Sequence, residues 1–501
     1  MIGLIAQESE MGFAREFFEL FKTPWEPWTP NRTYEVVICA SKLDLSEVHA
    51  RLIVVYSGSK LPSDAVDNTE LSIVEATRYL SHGNECIPVY GRCITFSDTD
   101  CDLLVEHSTG RSAAFYIEGD CNTRILRVGY DLFQEVATLL IHGQPPSEAG
   151  IPTLDLHIDF LRAQIQSAGI EILEIPPIPY GYRFIVCLTH DIDHPAIRRH
   201  RCDHTAAGFL YRGTIRTLIN LLRRRMPLKS LIKNWFAVAR WPLIQVGLAR
   251  DFWADFHQQY RELESGLPAT YFVIPFAGMS GRSSSGMSHL LRATKYGARD
   301  IVVPILKILK DGCEIGLHGI DAWLDSESGV QELDEIRKLT GNSVIGVRMH
   351  WLFFDESSPR KLDYAGACYD STFGYRQTVG YRAGTTQAYI PPGAESLIEL
   401  PLHVMDTALF YPTYLNLTPD ETDAILTRLL DNAERFGGCL IINWQSSPKP
   451  LILASSSPGR SNWNVIAIRL ALTTMRSTSS TEKSHFCLQS ATSPVSSAVT
   501  A

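Results

Sequence analysis

The chain has 501 residues, 45% of them hydrophobic, 20% charged and 10% aromatic, enough apolar chain for roughly two to four packed domains. Its 46 Lys and Arg stand against 55 Asp and Glu, and a formal net charge of −9 gives no bulk electrostatic reason for nucleic acid or an anionic membrane as the main partner. Eleven cysteines without a CxxC pair fit reduced, mostly buried thiols and exclude a disulfide framework or a zinc ribbon.

The opening MIGLIAQESEMGF has no basic segment followed by a long apolar core, and the apolar stretch Trp235 to Val246 is interrupted by Arg240. Neither a secretory signal nor a transmembrane segment is expected, and a cytoplasmic location follows as the expectation. Strands are predicted at Ile2 to Ala6, Tyr34 to Ala40 and Arg51 to Tyr56, with β-like segments at Ile87 to Phe96 and Ser112 to Glu118. Helices are predicted at Glu10 to Phe21 and Asp131 to Ile141. Residues 1–142 therefore read as a small α/β domain. It carries neither GxGxxG nor GxxxxGK[ST], so a scaffolding or substrate-presenting role is expected rather than a nucleotide site. GQPPSEAGIP and IPPIPYGY mark 143–182 as a Pro/Gly-rich linker region, with a helix at Leu154 to Ala168.

From 183 the chain beats strand, then helix. The apolar run Phe184 to Leu188 leads straight into Thr189, His190, Asp191, Asp193 and His194. A helical insertion at about 195–264 follows. It holds Arg198, Arg199 and Arg201, then Arg223, Arg224 and Arg225, readable as a solvated face or as a seat for an anionic substrate or lipid headgroup. Strands come next at Ala269 to Pro275, Glu314 to His318, Ser343 to Arg348 and Cys439 to Trp444. Between them lie helices at Ile301 to Lys310 and Ser328 to Leu339. A further helix is opened by Thr418, Pro419 and Glu421 and stopped at Gly437–Gly438. Repeated βα units over 183–445 predict a (β/α) barrel with its site at the carboxyl ends of the strands. Residues 446–501 are Ser/Thr-rich, the composition of a disordered tail or of a shifted reading frame.

Two carboxylates and two imidazoles at one strand end cost stability unless they bind a cation or move protons. Other strand ends add His318 and Asp321, then Arg348 and His350, then Asn443 and Trp444. Singly each has an ordinary structural explanation; jointly they point to a metal site.

These residues resemble the polysaccharide deacetylases of the NodB-homology group, carbohydrate esterase family 4, over roughly Phe184 to Trp444. The resemblance implies a distorted (β/α) barrel of that type. It also implies a metal-dependent hydrolase that removes acetyl groups from an N-acetylated (or O-acetylated) sugar in polysaccharide or glycolipid metabolism. By match to the family's opening motif in its DxD variant, LTHDID supplies Asp191 as general base and Asp193 as metal ligand. His318 matches the first imidazole of HxxxH. Arg348 matches the Arg of RxP, which orients the base, and Asp370 in CYDSTFGY buttresses the pocket. Two departures stand out. Ala322 occupies the second HxxxH position, while His350 stands where the family has Pro. Asp193, His318 and His350 are therefore the expected ligands, with Asp321 as the competing third, and two imidazoles with one carboxylate suit Zn²⁺. Gln445 stands where the family places its acid His, and Gln cannot deliver a proton. His190 or His194 would have to substitute; otherwise the chain is a catalytically inactive deacetylase-fold carbohydrate-binding or scaffold protein. Trp351, Trp444 and Tyr375 are candidate flat faces for a sugar. An acetylated carbohydrate is the expected partner, with no nucleic acid.

Overall fold

The structure, a computed structural model, describes residues 1–40, 47–61, 64, 72–74, 78–97, 103–118, 123–223, 226–264, 266–282 and 293–445. The Ser/Thr-rich tail, 446–501, and the pair Arg224 and Arg225 lie outside the described residues.

Eight strands pair side by side in parallel, in the order Ile398–Glu399, Tyr369–Asp370, Gly346–Met349, Glu314–Gly319, Thr270–Val273, Ile185–Ile192, Cys439–Asn443, Leu402–Met405. The central members read as nearly continuous apolar runs because helices cover them, and Leu188, Val273, Leu317, Val347 and Ile441 are all buried in one core. The two edge strands are separated in sequence only by Leu400 and Pro401. Leu400 N donates to Asp370 O at 2.8 Å, and Leu402 N donates to Phe373 O at 3.2 Å. The edge strand Leu402–Met405 thus meets the chain that follows Tyr369–Asp370, next to the opposite edge, and the sheet curls as a (β/α) barrel does. Local chemistry explains the last helix, Pro419–Phe436. The Glu421 carboxylate accepts from Thr418 N at 2.7 Å, and Gly437 closes the far end with φ 68°.

The first 130 residues build a nine-stranded mixed sheet, parallel on one side and antiparallel on the other. Helices Met11–Phe21, Leu132–Ile141 and Thr153–Ser167 pack on it, and its core runs on into Phe373, Ala383 and Tyr389 of the barrel chain. Buried Asp155 accepts from Thr385 Oγ1 at 2.7 Å and Thr386 N at 2.8 Å, while Gln387 Nε2 donates to Leu20 O at 3.0 Å. These bonds stitch the two sheets together.

Between the strands Ile185–Ile192 and Thr270–Val273 lies a run of helices, His204–Tyr211, Thr217–Leu222, Leu228–Gln245 and Phe256–Glu264. It has a small core of its own, formed by Ile197, Phe209, Ala237, Ile244 and Trp253. Among the described residues no helix is long and apolar enough to cross a membrane.

One glycine is forced by close approach. A Cβ at Gly346 would fall 1.9 Å from the ring of Tyr369, its partner on the next strand. Gly346→Ala is expected to cost about 1–3 kcal/mol through overpacking. Thermal unfolding of the variant checks this, and an unchanged Tm contradicts it.

Candidate metal centre and active site

Strand parity aims the key side chains. Thr189, Asp191 and Asp193 alternate onto one face of Ile185–Ile192 and its extension, and His190 takes the other. On neighbouring strands His318 stands in register with Arg348, and His350 follows Arg348 by two. A sharp turn completes the placement. Trp351 and Leu352 adopt positive φ, 59° and 51°, directly after His350. Two bulky residues in that region cost about 1–2 kcal/mol each. This is local strain of the kind that collects at functional sites.

Asp193, His318 and His350 each bring one ligand atom to a common point, all within 4.8 Å of one another. His318 Nε2 and His350 Nδ1 lie 2.9 Å apart, and they stand 3.3 Å and 3.2 Å from Asp193 Oδ1. Ligand atoms around a tetrahedral zinc, with bonds of about 2.0–2.1 Å, are separated by roughly 3.3 Å. His318 Nδ1 donates to Arg348 O at 2.9 Å, which leaves Nε2 as the lone-pair nitrogen facing the other two. Asp193 Oδ1 is buried yet receives no well-aligned hydrogen bond. A buried carboxylate oxygen without a bond, facing two imidazole nitrogens, is what a divalent ion would satisfy, so the residues present fit the metal the sequence implied.

The electrostatics agree. Burial would raise Asp193, but His350 and His318 outweigh it and hold its carboxyl well below the usual range. Burial alone would lower His318; Asp191 and Asp193 together push it above the usual imidazole value. His350 is lowered, chiefly by burial, only partly offset by Asp193.

Beside this centre sits Asp191, buried and bonded on both oxygens. Arg348 Nη1 donates to Oδ1 at 3.1 Å, while Asn443 Nδ2 and Gln445 Nε2 donate to Oδ2 at 2.6 Å and 2.9 Å. Three donors converging on one carboxylate take up most of its acceptor capacity and fix its orientation. Arg348 is itself fully buried. Its Nη1 also donates to Thr189 Oγ1 at 2.7 Å, and its Nε and Nη2 donate to Ser371 O and Ser371 Oγ at 3.0 Å and 2.8 Å. The guanidinium lies 4.5 Å over the Phe272 ring.

The other sequence candidates fall elsewhere. Asp321, the competing ligand, accepts from Arg282 N at 2.7 Å and stands outside the triad. Asp370 does not bond to Asp191 or Arg348; it takes a short hydrogen bond from Thr372 Oγ1 and pairs with Glu399 across the strands. Burial raises both carboxyls; the charge of Asp370 raises Glu399 further, while hydrogen bonds from Thr372 and Glu399 partly offset the rise at Asp370. His190 has both nitrogens engaged, Nδ1 donating to Trp444 O at 2.7 Å and Nε2 bonded to Glu264. His194 packs its ring against His200 and Trp253, at 4.8 Å and 6.1 Å. Trp444 is core, and Tyr375 is tied by its hydroxyl to Gln144 O at 2.7 Å. Only Trp351, half-buried and 4.0 Å from the His350 ring, remains a flat face at the site.

Strand-end position marked Thr189 and Asn443 without giving either a specific role, and Glu264 and Ser371 carried no signal in the sequence. The parallel register of Thr189 with Asn443 sets that carboxamide beside the Asp191 strand.

No family model matches the chain, and no curated protein matches it. Solved structures similar to it include the crystal structure of a candidate polysaccharide deacetylase from Mycobacterium smegmatis. The alignment has probability 1.00 at 20% identity, covers 61% of this chain and 90% of that one, and has a TM-score of 0.34. A second is the crystal structure of Agd3, described as a novel carbohydrate deacetylase. It also has probability 1.00, at 8% identity over 89% of this chain and 78% of that one, with a TM-score of 0.32.

Protons compete with a divalent ion for His318, whose affinity for protons is raised, so metal binding weakens as pH falls. The rise in Tm produced by saturating Zn²⁺ should therefore shrink between about pH 7.5 and about pH 5.5. Without metal the sign reverses: a raised His318 stabilises the fold below its unfolded pKa and loses that contribution as pH climbs through the folded one. Differential scanning fluorimetry across this range measures both arms. A Zn²⁺ increment that does not depend on pH contradicts the triad.

Proposed function

We propose that the chain is a metal-dependent hydrolase that removes acetyl groups from an N-acetylated or O-acetylated sugar, with Asp193, His318 and His350 holding a divalent ion, Zn²⁺ by donor set. The observation that carries this reading is the meeting of three ligand atoms beside a buried carboxylate held by three donors. A binding module has no use for that combination. The barrel of NodB-homology type, preceded by a small α/β unit over residues 1–142, belongs to the same reading.

When bound, the ion supplies Lewis acidity toward the acetyl carbonyl and acidifies a water. Asp191 is the general base. Of its roughly four lone-pair directions three are taken by Arg348, Asn443 and Gln445, which leaves one to receive a proton. Arg348 keeps the carboxylate aimed, and is a positioning residue. Its own orientation is set by Thr189, Ser371 and the face of Phe272. Asp370 and Glu399 share a buried acid pair behind this network and act on structure rather than on substrate.

The leaving amine needs a proton, and Gln445 has none to give. His190 has both nitrogens committed, so it does not substitute. Asp191, once protonated, is the group placed to return that proton to the leaving nitrogen, serving as base and then as acid. Trp351 offers its ring to the sugar.

Asp191→Asn keeps the shape and removes the base. It is expected to lower kcat for acetate release from N-acetylated sugars by about 10²–10⁴-fold, a typical general-base contribution, while metal content stays unchanged. Measured acetate release with the purified chain and with this variant checks the reading. Absence of acetate from every N- and O-acetylated sugar tried, with metal bound, overturns it.

A further inference from the structure

We infer that the helical insertion between the strands Ile185–Ile192 and Thr270–Val273 is a docking surface for an anionic lipid bilayer. The overall charge of −9 argues against such a partner, but the charge is not spread evenly. Between Asp203 and Asp251 there is no Asp or Glu, whereas nine Lys or Arg fall there, Arg224 and Arg225 outside the described residues among them.

The apolar side chains of the same segment face the wrong way for a solvated hairpin. On Leu228–Gln245 the inward positions are Leu231, Asn234, Ala237 and Ile244, one helical stripe. The opposite stripe, at i, i+4, i+7 and i+8, is Leu228, Ile232, Trp235 and Phe236, with Trp235 47% and Phe236 64% exposed. Thr217–Leu222 continues it outward through Leu218 and Leu222, the latter 75% exposed. Lys229, Lys233 and Arg240 stand among these side chains. An outward apolar stripe with basic residues beside it, on helices that do not span, is the pattern of an interfacial element lying in the headgroup region.

Charge decides the occupant. A second copy would bring two carboxylate-free basic faces together, and a nucleic acid gains little from exposed Leu, Ile and Val. An anionic bilayer satisfies both features at once, burying the apolar stripe while Lys and Arg meet headgroups. The insertion leaves the strand that carries Asp191, so docking would set the candidate site next to the lipid surface.

Co-sedimentation of the full chain with vesicles of phosphatidylcholine, with and without phosphatidylglycerol, tests this. Binding is expected only to the phosphatidylglycerol vesicles and should weaken with salt, each basic residue contributing roughly fivefold. Lys229→Glu with Lys233→Glu should reduce binding at least about tenfold, and Trp235→Ala with Phe236→Ala should reduce it at every salt concentration. All four side chains are outside the core, so an unchanged Tm verifies folding. Three results overturn the proposal. These are failure to bind either vesicle, a stable dimer that the aromatic variants dissociate, and retention by a DNA duplex without retention by vesicles.

Discussion

A fully buried guanidinium is the charge on which this end of the barrel depends. Arg348 has no access to water, so its charge is tolerable only because every side of it meets an acceptor. Its partners tie three parts of the chain together: Thr189 and Asp191 on one strand, Ser371 beyond another, and the ring of Phe272 beneath. Its own carbonyl fixes the His318 tautomer. One residue thus sets the orientation of the candidate base and the lone pair of a candidate ligand. Removing it would leave Asp191 as an uncompensated buried charge, the costlier half of breaking such a pair.

Around that charge the barrel interior is acidic but arranged in pairs. Asp370 and Glu399 stand side by side across parallel strands; burial raises both, and Asp370 raises Glu399 further. Glu264 closes His190 from the opposite face of its strand. Thr372 Oγ1 and Phe373 N each donate to one oxygen of the Asp370–Glu399 pair, while Asp191 and the Asp193–His318–His350 cluster form the inner set at the strand ends. Gln445 belongs to this inner set, because its amide is bonded to Asp191. The position where a protonatable ring was expected is therefore filled by a group that hydrogen-bonds the candidate base.

Where the sequence was informative, a physical signal was strong and local. The run Phe184 to Leu188 announced the strand Ile185–Ile192, although Ile185 is exposed and full burial within the strand begins only at Leu188. The Thr418–Glu421 capping box with Gly437 bracketed a helix almost to the residue. Strand-end polar residues marked Asp191, Asp193, His318 and Arg348. His350 was read from a departure, an imidazole where a proline was expected, and the structure brings it to the other two ligands. What escaped had no periodicity to detect. Tyr369–Asp370 and Ile398–Glu399 are two residues each, held as strands by their neighbours and not by their own pattern. Turn-rich segments flank Thr153–Ser167, yet that helix is largely buried, and partners such as Thr385 lie 230 residues away. Asn443 and Ser371 are commonplace residues whose importance comes only from what stands opposite them.

The direct test of the central claim is the metal content of the purified chain by inductively coupled plasma mass spectrometry, compared with that of His350→Ala. About one divalent ion per chain, lost with His350 but retained when Asp191 is changed to Asn, is the predicted result. A His350→Ala chain that keeps its full complement of metal would contradict the three-residue centre.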